Sequence, residues 1–347
     1  MKVCFIQRNL EHYRYELFSN ISKYFEVSVI HFGKKKTLPN QISFIQINYD
    51  NNLLISNLKT YLKIIRSSYD VLIIGDDLKY IFFPLFRLIT FGLGFNKKIV
   101  WWGVGGKNLF NFFGIFKNKI YFKNDSLVFY DYSTFNKYLN KFSTNKKNCY
   151  VINNSIKVGK NLNFQNSLFK ILNVGSLTYR KRNDILIECV ANVFNDGFKN
   201  IRLEFIGSGK AKYQILNKIK NCNMDEIINL SKEINDPELL SKYYEESIVS
   251  ISYGQAGLTV LQSFGFSRPF ITSKYSVSGG EKSNIIHGFN GFFVNSQNDL
   301  QDLLKYLIER TDVLLEMGKN AKNTYDKQCS FHNYIYKFKN LIELSKK

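Results

Sequence analysis

The sequence predicts an α/β fold of two doubly wound, Rossmann-like domains, each built on a parallel sheet. Three observations carry this reading. Unbroken apolar runs such as Val71-Leu72-Ile73-Ile74 recur along the chain, as strands buried on both faces do. Between them, apolar residues fall at helical spacing, the alternation of a parallel sheet covered by helices. The pattern runs twice in 347 residues, a length that suits two domains rather than one core.

The elements follow in order. Val3–Ile6 is a strand that ends at the polar loop Gln7-Arg8-Asn9, and a helix follows with Tyr13, Leu17, Ile21 and Phe25 in step. Val27–Phe32 and Ser43–Ile47 are strands, and 57–67 is helical. Val71–Ile74 ends at Gly75-Asp76-Asp77, and Lys98–Trp102 ends at Gly103-Val104-Gly105-Gly106. Leu127–Phe129 and Tyr150–Ile152 complete the first sheet. Ligands of such sheets sit beyond the carboxyl ends of the strands. That rule gathers Arg8, His12, Asp76 and Gly105 around one crevice.

The polar stretch Lys157 to Gln165 sets a boundary near residue 160. The expected domains are 1–160 and 161–330, with a closing helix in 331–347. Strands of the second domain are Ile171–Val174, Leu203–Ile206, Ile248–Ser252, Phe270–Thr272 and Phe292–Val294. Helices at 297–309, 312–327 and 331–345 end the chain.

One stretch organises the second domain. Ile251-Ser252 ends a strand, Tyr253 to Gly257 is a small-residue loop, and Leu258, Val260, Leu261 and Phe264 recur at helical spacing. A loop of this kind opens a helix N-terminus, whose free amides and positive dipole end suit an anion such as phosphate. Gly254 and Gly257 let backbone approach a ligand closely.

Composition narrows the partners. The chain carries 48 Lys and Arg against 28 Asp and Glu, for a net charge of +20. Positions 1–155 hold 22 basic and 9 acidic residues, about two-thirds of that excess. Such a surface favours acidic partners. Five scattered cysteines without a CxxC pair argue for a reducing compartment and against a zinc site. Lys2 to Ile6 reads as a buried strand rather than a signal peptide. The best membrane-span candidate, Tyr80–Phe95, is broken by Pro84 and Arg87 and falls short of the ~20 residues a span needs.

Several pieces, taken as a series, resemble a known family. They are Leu172 to Lys181, with Gly175-Ser176 and Lys181; Phe205-Ile206-Gly207-Ser208-Gly209; the loop and helix at 253–265; Arg268-Pro269; Gly279-Gly280; and Gly288 to Val294. The series resembles the donor-binding domain of family-4 retaining glycosyltransferases over residues 165 to 330, while the first half fits in outline. The resemblance implies the GT-B fold, with two Rossmann-like domains facing a central crevice. It implies transfer of a sugar from a nucleotide-diphosphate-sugar to a hydroxyl of a glycan, without metal or other cofactor and with retention. The acceptor would be a lipid-linked glycan of lipopolysaccharide, O-antigen or capsule assembly, at the cytoplasmic face of a bacterial inner membrane.

Residue roles follow from the same resemblance. Lys181 stands where relatives carry the lysine that neutralises the leaving diphosphate. Its usual arginine partner is replaced by Ser176, and Arg180 and Arg182, which flank Lys181, would be the substitutes. Gly257, Leu258 and Thr259 would offer amides to the distal phosphate, and Gly175, Gly207 and Gly209 would line the nucleotide pocket. Relatives place two glutamates eight residues apart where this chain has Gly254 and Gln262, and a third acidic residue at Ser283, two positions from Glu281. Gln262 can still hydrogen-bond the nucleotide ribose but is neutral. A dTDP-sugar, with one ribose hydroxyl fewer, would ask less of it. Arg8, His12, Asp76 and Gly105 would lie on the acceptor side. These losses also fit a second class, a non-catalytic GT-B binding or scaffold protein.

Leu109 to Lys123 interleaves aromatics with lysines, and Tyr80–Phe95 is rich in Phe and Leu. Such segments suit an anionic membrane surface, docked through the first domain. No RRM-, KH- or helix-turn-helix-type signature accompanies the basic charge, so nucleic acid is not expected as a partner.

Overall fold

The computed structural model describes residues 1–7, 10, 13–31, 42–46, 68–75, 98–105, 125–142, 148–160, 164 and 167–345. The chain divides into two compact units, Met1–Asn153 with Tyr334–Lys347, and Asn154–Asn333. The division falls at Asn153, a few residues before the polar stretch read from the sequence.

The first unit is a seven-stranded sheet in the order β3-β2-β1-β4-β5-β6-β7. Its strands are β1 (Lys2–Gln7), β2 (Glu26–His31), β3 (Ser43–Gln46), β4 (Val71–Gly75), β5 (Lys98–Val104), β6 (Ser126–Phe129) and β7 (Cys149–Val151). Every neighbouring pair is parallel. Strand order reverses between β1 and β4, the switch point where ligands of such sheets bind. The side-chain period of two splits the apolar runs between two faces. Cys4, Ile6, Leu72, Ile74, Trp101 and Phe129 share one core with Tyr138 of helix α2 (Tyr132–Phe142). Phe5 packs on Phe18 of helix α1 (Tyr13–Ile21), with ring centres 4.8 Å apart. Phe338, in the final helix Phe331–Leu344, meets Trp102 edge-on at 5.0 Å.

The second unit is a six-stranded sheet in the order β10-β9-β8-β11-β12-β13. The strands are β8 (Phe169–Val174), β9 (Ile201–Ile206), β10 (Ile228–Ser231), β11 (Val249–Ile251), β12 (Phe270–Ser273) and β13 (Gly291–Val294). All its pairs are parallel, and its switch point lies between β8 and β11. Asn173 ties those two strands, its Nδ2 donating to the Ile251 carbonyl at 2.7 Å. Helices α3 (Asn183–Asn195), α4 (Lys212–Asn221), α5 (Pro237–Glu245), α6 (Leu258–Gly265), α7 (Gln297–Glu309) and α8 (Thr311–Thr324) cover it. Two of their starts are capped by side chains: Asp236 accepts the amides of Glu238 and Leu239 at α5, and Ser296 accepts that of Asp299 at α7.

Two elements depart from the sequence reading. β10 is absent from it because Ile-Asn-Leu-Ser is a short edge strand with only Ile228 buried. The expected helix 312–327 stops as α-helix at Thr324 and continues through Tyr325–Cys329 as a wider π turn. The helix expected at 57–67 and the segments 80–95 and 109–123 lie outside the described residues. Among the described residues no helix is long and apolar enough to cross a membrane, and no three His, Cys, Asp or Glu residues cluster as metal ligands would.

Candidate functional site

The site is built at the carboxyl ends of β8, β9 and β11. The chain leaves β8 at Gly175, in the left-handed region at φ +109, and runs beside the loop that leaves β9. The two loops are laced by backbone: Gly175 donates to the Ile206 carbonyl, Leu177 to Ser208 and Ala211 to Leu177, at 2.8 to 3.0 Å. A Cβ on Gly207 would stand 2.2 Å from the Gly175 oxygen, and one on Gly209 2.3 Å from the Leu177 oxygen. Glycine is required at both positions by this close approach of two main chains.

The 3₁₀ turn Tyr179–Lys181 then folds Lys181 inward, where it is 5% exposed. Its ammonium donates to the Val174 carbonyl at 2.7 Å. No carboxylate pairs with it among the described residues, and burial alone pushes its pKa down to about 8. A Cβ on Gly175 would meet Lys181 Nζ at 3.0 Å and Thr259 Cγ2 at 3.5 Å, so Lys181 and the first turn of α6 converge on one spot. Gly257 is the N-cap residue of α6, and no side chain caps that end. Nothing lies within 4 Å of where a Gly257 Cβ would stand. The start of α6, uncapped and with open space at Gly257, therefore lies beside a buried cation that no carboxylate pairs with among the described residues. Both features favour an anion.

The other sequence-derived residues divide around this spot. Ser176 is exposed next to Gly175. Arg182 takes a left-handed conformation at φ 52, and its guanidinium pairs with Asp184 at 3.2 Å instead of turning toward Lys181. Gly254 donates its amide to the Lys181 carbonyl at 2.9 Å, and a Cβ there would stand 2.1 Å from the Arg180 oxygen. It therefore offers a ligand neither its amide nor room for a side chain. Gln262 is buried, and its Oε1 accepts from the Tyr244 hydroxyl at 3.5 Å. Gly105, at φ +152, follows the end of β5 in the first unit. Arg8, His12 and Asp76 lie outside the described residues.

Three further polar residues take their places in three dimensions. Glu281 is buried and accepts from Asn154 Nδ2 at 3.0 Å, Ser278 Oγ at 3.3 Å and the Gly279 amide at 3.1 Å. Its loop adjoins the Gly254 loop, because Ala256 and Val277 exchange backbone bonds with that segment. Thr178 and Asn183 line a cavity of about 10 Å³ with Tyr179, Asp184, Ala211, Gln214 and Ile215. Among the described residues, neither the Thr178 hydroxyl nor either polar atom of Asn183 has a hydrogen-bond partner. That cavity has room for about one water, which would answer them. A Thr and an Asn flanking a basic turn give no sequence signal for this.

Comparison with known proteins gives a family match over the span that holds the site. Residues 156–324 match the family described as Glycosyl transferases group 1, a span that covers nearly all of the second unit. Trehalose synthase of Thermococcus litoralis is 33% identical over 86 residues, 25% of this chain and 20% of its own length. The amylovoran biosynthesis glycosyltransferase AmsD of Erwinia amylovora is 33% identical over 94 residues, 26% of this chain and 25% of its own. The chain thus matches about a fifth to a quarter of the length of these curated relatives. Among solved structures, Anabaena HepE in complex with UDP superposes with a TM-score of 0.74 at 14% identity, over 99% of this chain and 100% of that one. Sucrose-phosphate synthase from Thermosynechococcus elongatus gives 0.73 at 14%, over 99% and 98%. WaaG, a glycosyltransferase involved in lipopolysaccharide biosynthesis, gives 0.67 at 15%, over 98% and 99%. The architecture is the one these GT-B glycosyltransferases share.

Proposed function

We propose that this chain, whose residues 156–324 match the family described as Glycosyl transferases group 1, moves a sugar from a nucleotide-diphosphate donor to a hydroxyl of a glycan acceptor. The observation that carries the proposal is Lys181: a buried ammonium without a carboxylate partner among the described residues, beside the uncapped start of α6. When the bond between the anomeric carbon and the diphosphate oxygen breaks, negative charge collects on the leaving oxygens. Lys181 and the amides of Gly257, Leu258 and Thr259 would receive it, a preorganised electrostatic role that would need no metal. The acceptor hydroxyl forms the new bond to the anomeric carbon and gives up its proton to the leaving diphosphate oxygen. Retention of configuration is part of the proposal and follows the family-4 resemblance.

A nucleotide-sugar donor is further supported by HepE, which has been crystallised with UDP-glucose. Assembly of a surface polysaccharide is supported by AmsD and WaaG. A lipid-linked acceptor and a place at the cytoplasmic face of the inner membrane extend that reading. They rest on the basic first half of the chain and the aromatic-lysine segment 109–123.

Gly254 favours a second reading, a GT-B protein that binds without catalysis. Relatives use a glutamate there, and the turn at Arg180 fills the space such a side chain needs. An assay of nucleoside diphosphate release separates the two. The chain is incubated with UDP-, GDP-, dTDP- and ADP-sugars and a mixed glycan acceptor pool. Release from one donor that Lys181→Ala lowers at least a hundredfold supports transfer. Donor binding without release supports the non-catalytic reading.

A further inference from the structure

The carboxyl edge of the first sheet holds a second charge without a counter-ion among the described residues. Arg14, the second residue of α1, is 7% exposed. Its Nη1 donates to the Tyr334 hydroxyl at 2.9 Å, and its Nη2 to the Tyr130 hydroxyl at 3.2 Å. The guanidinium carbon lies 3.9 Å from the centre of the Trp102 ring. The groups that act on its charge are the phenols of Tyr334, Tyr130 and Tyr13, with no carboxylate among the described residues.

Two further donors on this edge, Trp102 Nε1 and Gln7 Nε2, are buried without a hydrogen-bond partner among the described residues. Gln7 ends β1, and its amide nitrogen lies 3.7 Å from where a Gly75 Cβ would stand at the end of β4. It therefore sits over the point where strand order reverses. The backbone is shaped around the same edge. The register of β5 on β6 shifts between Trp102 and Val104, and Gly103 there has φ +82. A Cβ on Gly103 would stand 2.8 Å from the Tyr130 ring, so only glycine lets that phenol lie across β5. Tyr13, Gly103 and Tyr130 remain part-exposed beside the buried Arg14.

This is a donor-rich, net positive site at a sheet switch point. Burying an unpaired guanidinium is unfavourable, and ring contact and neutral phenols answer its charge only in part. An oxyanion would supply both the missing charge and acceptors for the orphaned N–H groups. We propose that Arg14, with Trp102 and the Tyr130 and Tyr334 hydroxyls, binds an oxyanion carried by a sugar, a carboxylate or a phosphate. Assigning that sugar to the acceptor rests on the glycosyl-transfer reading. The oxyanion site itself does not.

The test titrates the full chain with glucuronate, glucose 6-phosphate and neutral glucose at constant ionic strength, reading tryptophan fluorescence and the thermal midpoint. Saturable shifts with an anionic sugar and none with glucose are expected, and the stronger of the two anions identifies carboxylate or phosphate. Arg14→Met should weaken that binding at least tenfold, while Lys181→Ala leaves it unchanged. If Arg14→Met does not fold, Tyr130→Phe decides, with a several-fold loss expected. Equal response to all three sugars, or wild-type affinity in the folded Arg14 or Tyr130 variant, overturns the proposal. Anionic-sugar binding in a chain that releases no nucleoside diphosphate would keep the site and remove its assignment to an acceptor.

Discussion

The Gly254 amide donates to the carbonyl of Lys181 at 2.9 Å, which latches the loop before α6 to the turn that carries the buried cation. The latch needs glycine, because the Arg180 oxygen occupies the space of a side chain at 254. The position where relatives hold a glutamate has here become a fixed point for Lys181.

Restoring an acidic residue at this position should therefore not restore a glutamate-bearing site. Gly254→Glu, and even Gly254→Ala, should destabilise the chain by about 1–3 kcal/mol by overpacking against main chain. Both should weaken nucleoside diphosphate binding at least tenfold, since the displaced turn carries Lys181. Denaturant melts and diphosphate titrations of the two variants check this.

Lys181 should cost stability in the ligand-free chain. Its folded pKa of about 8 lies below the value near 10.4 of an unfolded lysine. Between those pH values the unfolded state binds more protons, so stability rises with pH across the window. The penalty is fully present below about pH 8 and gone above about pH 10.5, and it is of the order of 3 kcal/mol. Lys181→Met should raise the unfolding free energy at pH 7, with the gain vanishing at pH 10.5. The difference between the two proteins across pH isolates this one group.

Gly257 offers a separable test of the helix start. Its φ of −105 suits any residue, and the space beyond its Cβ is open. Gly257→Asp should cap α6 and place a carboxylate on the amides proposed to hold the diphosphate. A stability gain of a few tenths of a kcal/mol should accompany loss of diphosphate binding. Thermal melts with and without nucleotide measure both.

Arg182 holds a left-handed backbone that glycine adopts freely, and its ion pair with Asp184 is solvent-exposed. Arg182→Gly should therefore stabilise the chain by about 0.5–1 kcal/mol, because strain relief exceeds the loss of a surface pair. Diphosphate affinity should change less than threefold. A larger loss would place Arg182 at the ligand.

Much of this was legible in the residues. Strands such as Val71–Ile74 declare themselves because burial on both faces leaves no polar position, and Lys181 and Gly257–Thr259 stand out by their order along the chain. β10 was hidden because an edge strand needs few apolar residues. The role of Gly254 was hidden because it depends on a carbonyl more than seventy positions away. Arg14 gave no signal at all: an arginine near a helix start reads as solvated. Its burial depends on Tyr130, 116 positions on, and Tyr334, 320 positions on.

The central claim is that Lys181 and the start of α6 form a diphosphate site. The most direct measurement is a thermal-shift titration of the full chain with UDP, GDP, dTDP, ADP and CMP, repeated on Lys181→Ala. At 100 times its Kd a ligand adds about 2.7 kcal/mol of stability. The account predicts that one nucleoside diphosphate raises the wild-type midpoint by several degrees, that CMP does not, and that Lys181→Ala abolishes the shift. No shift with any diphosphate, or an equal shift in Lys181→Ala, would contradict it.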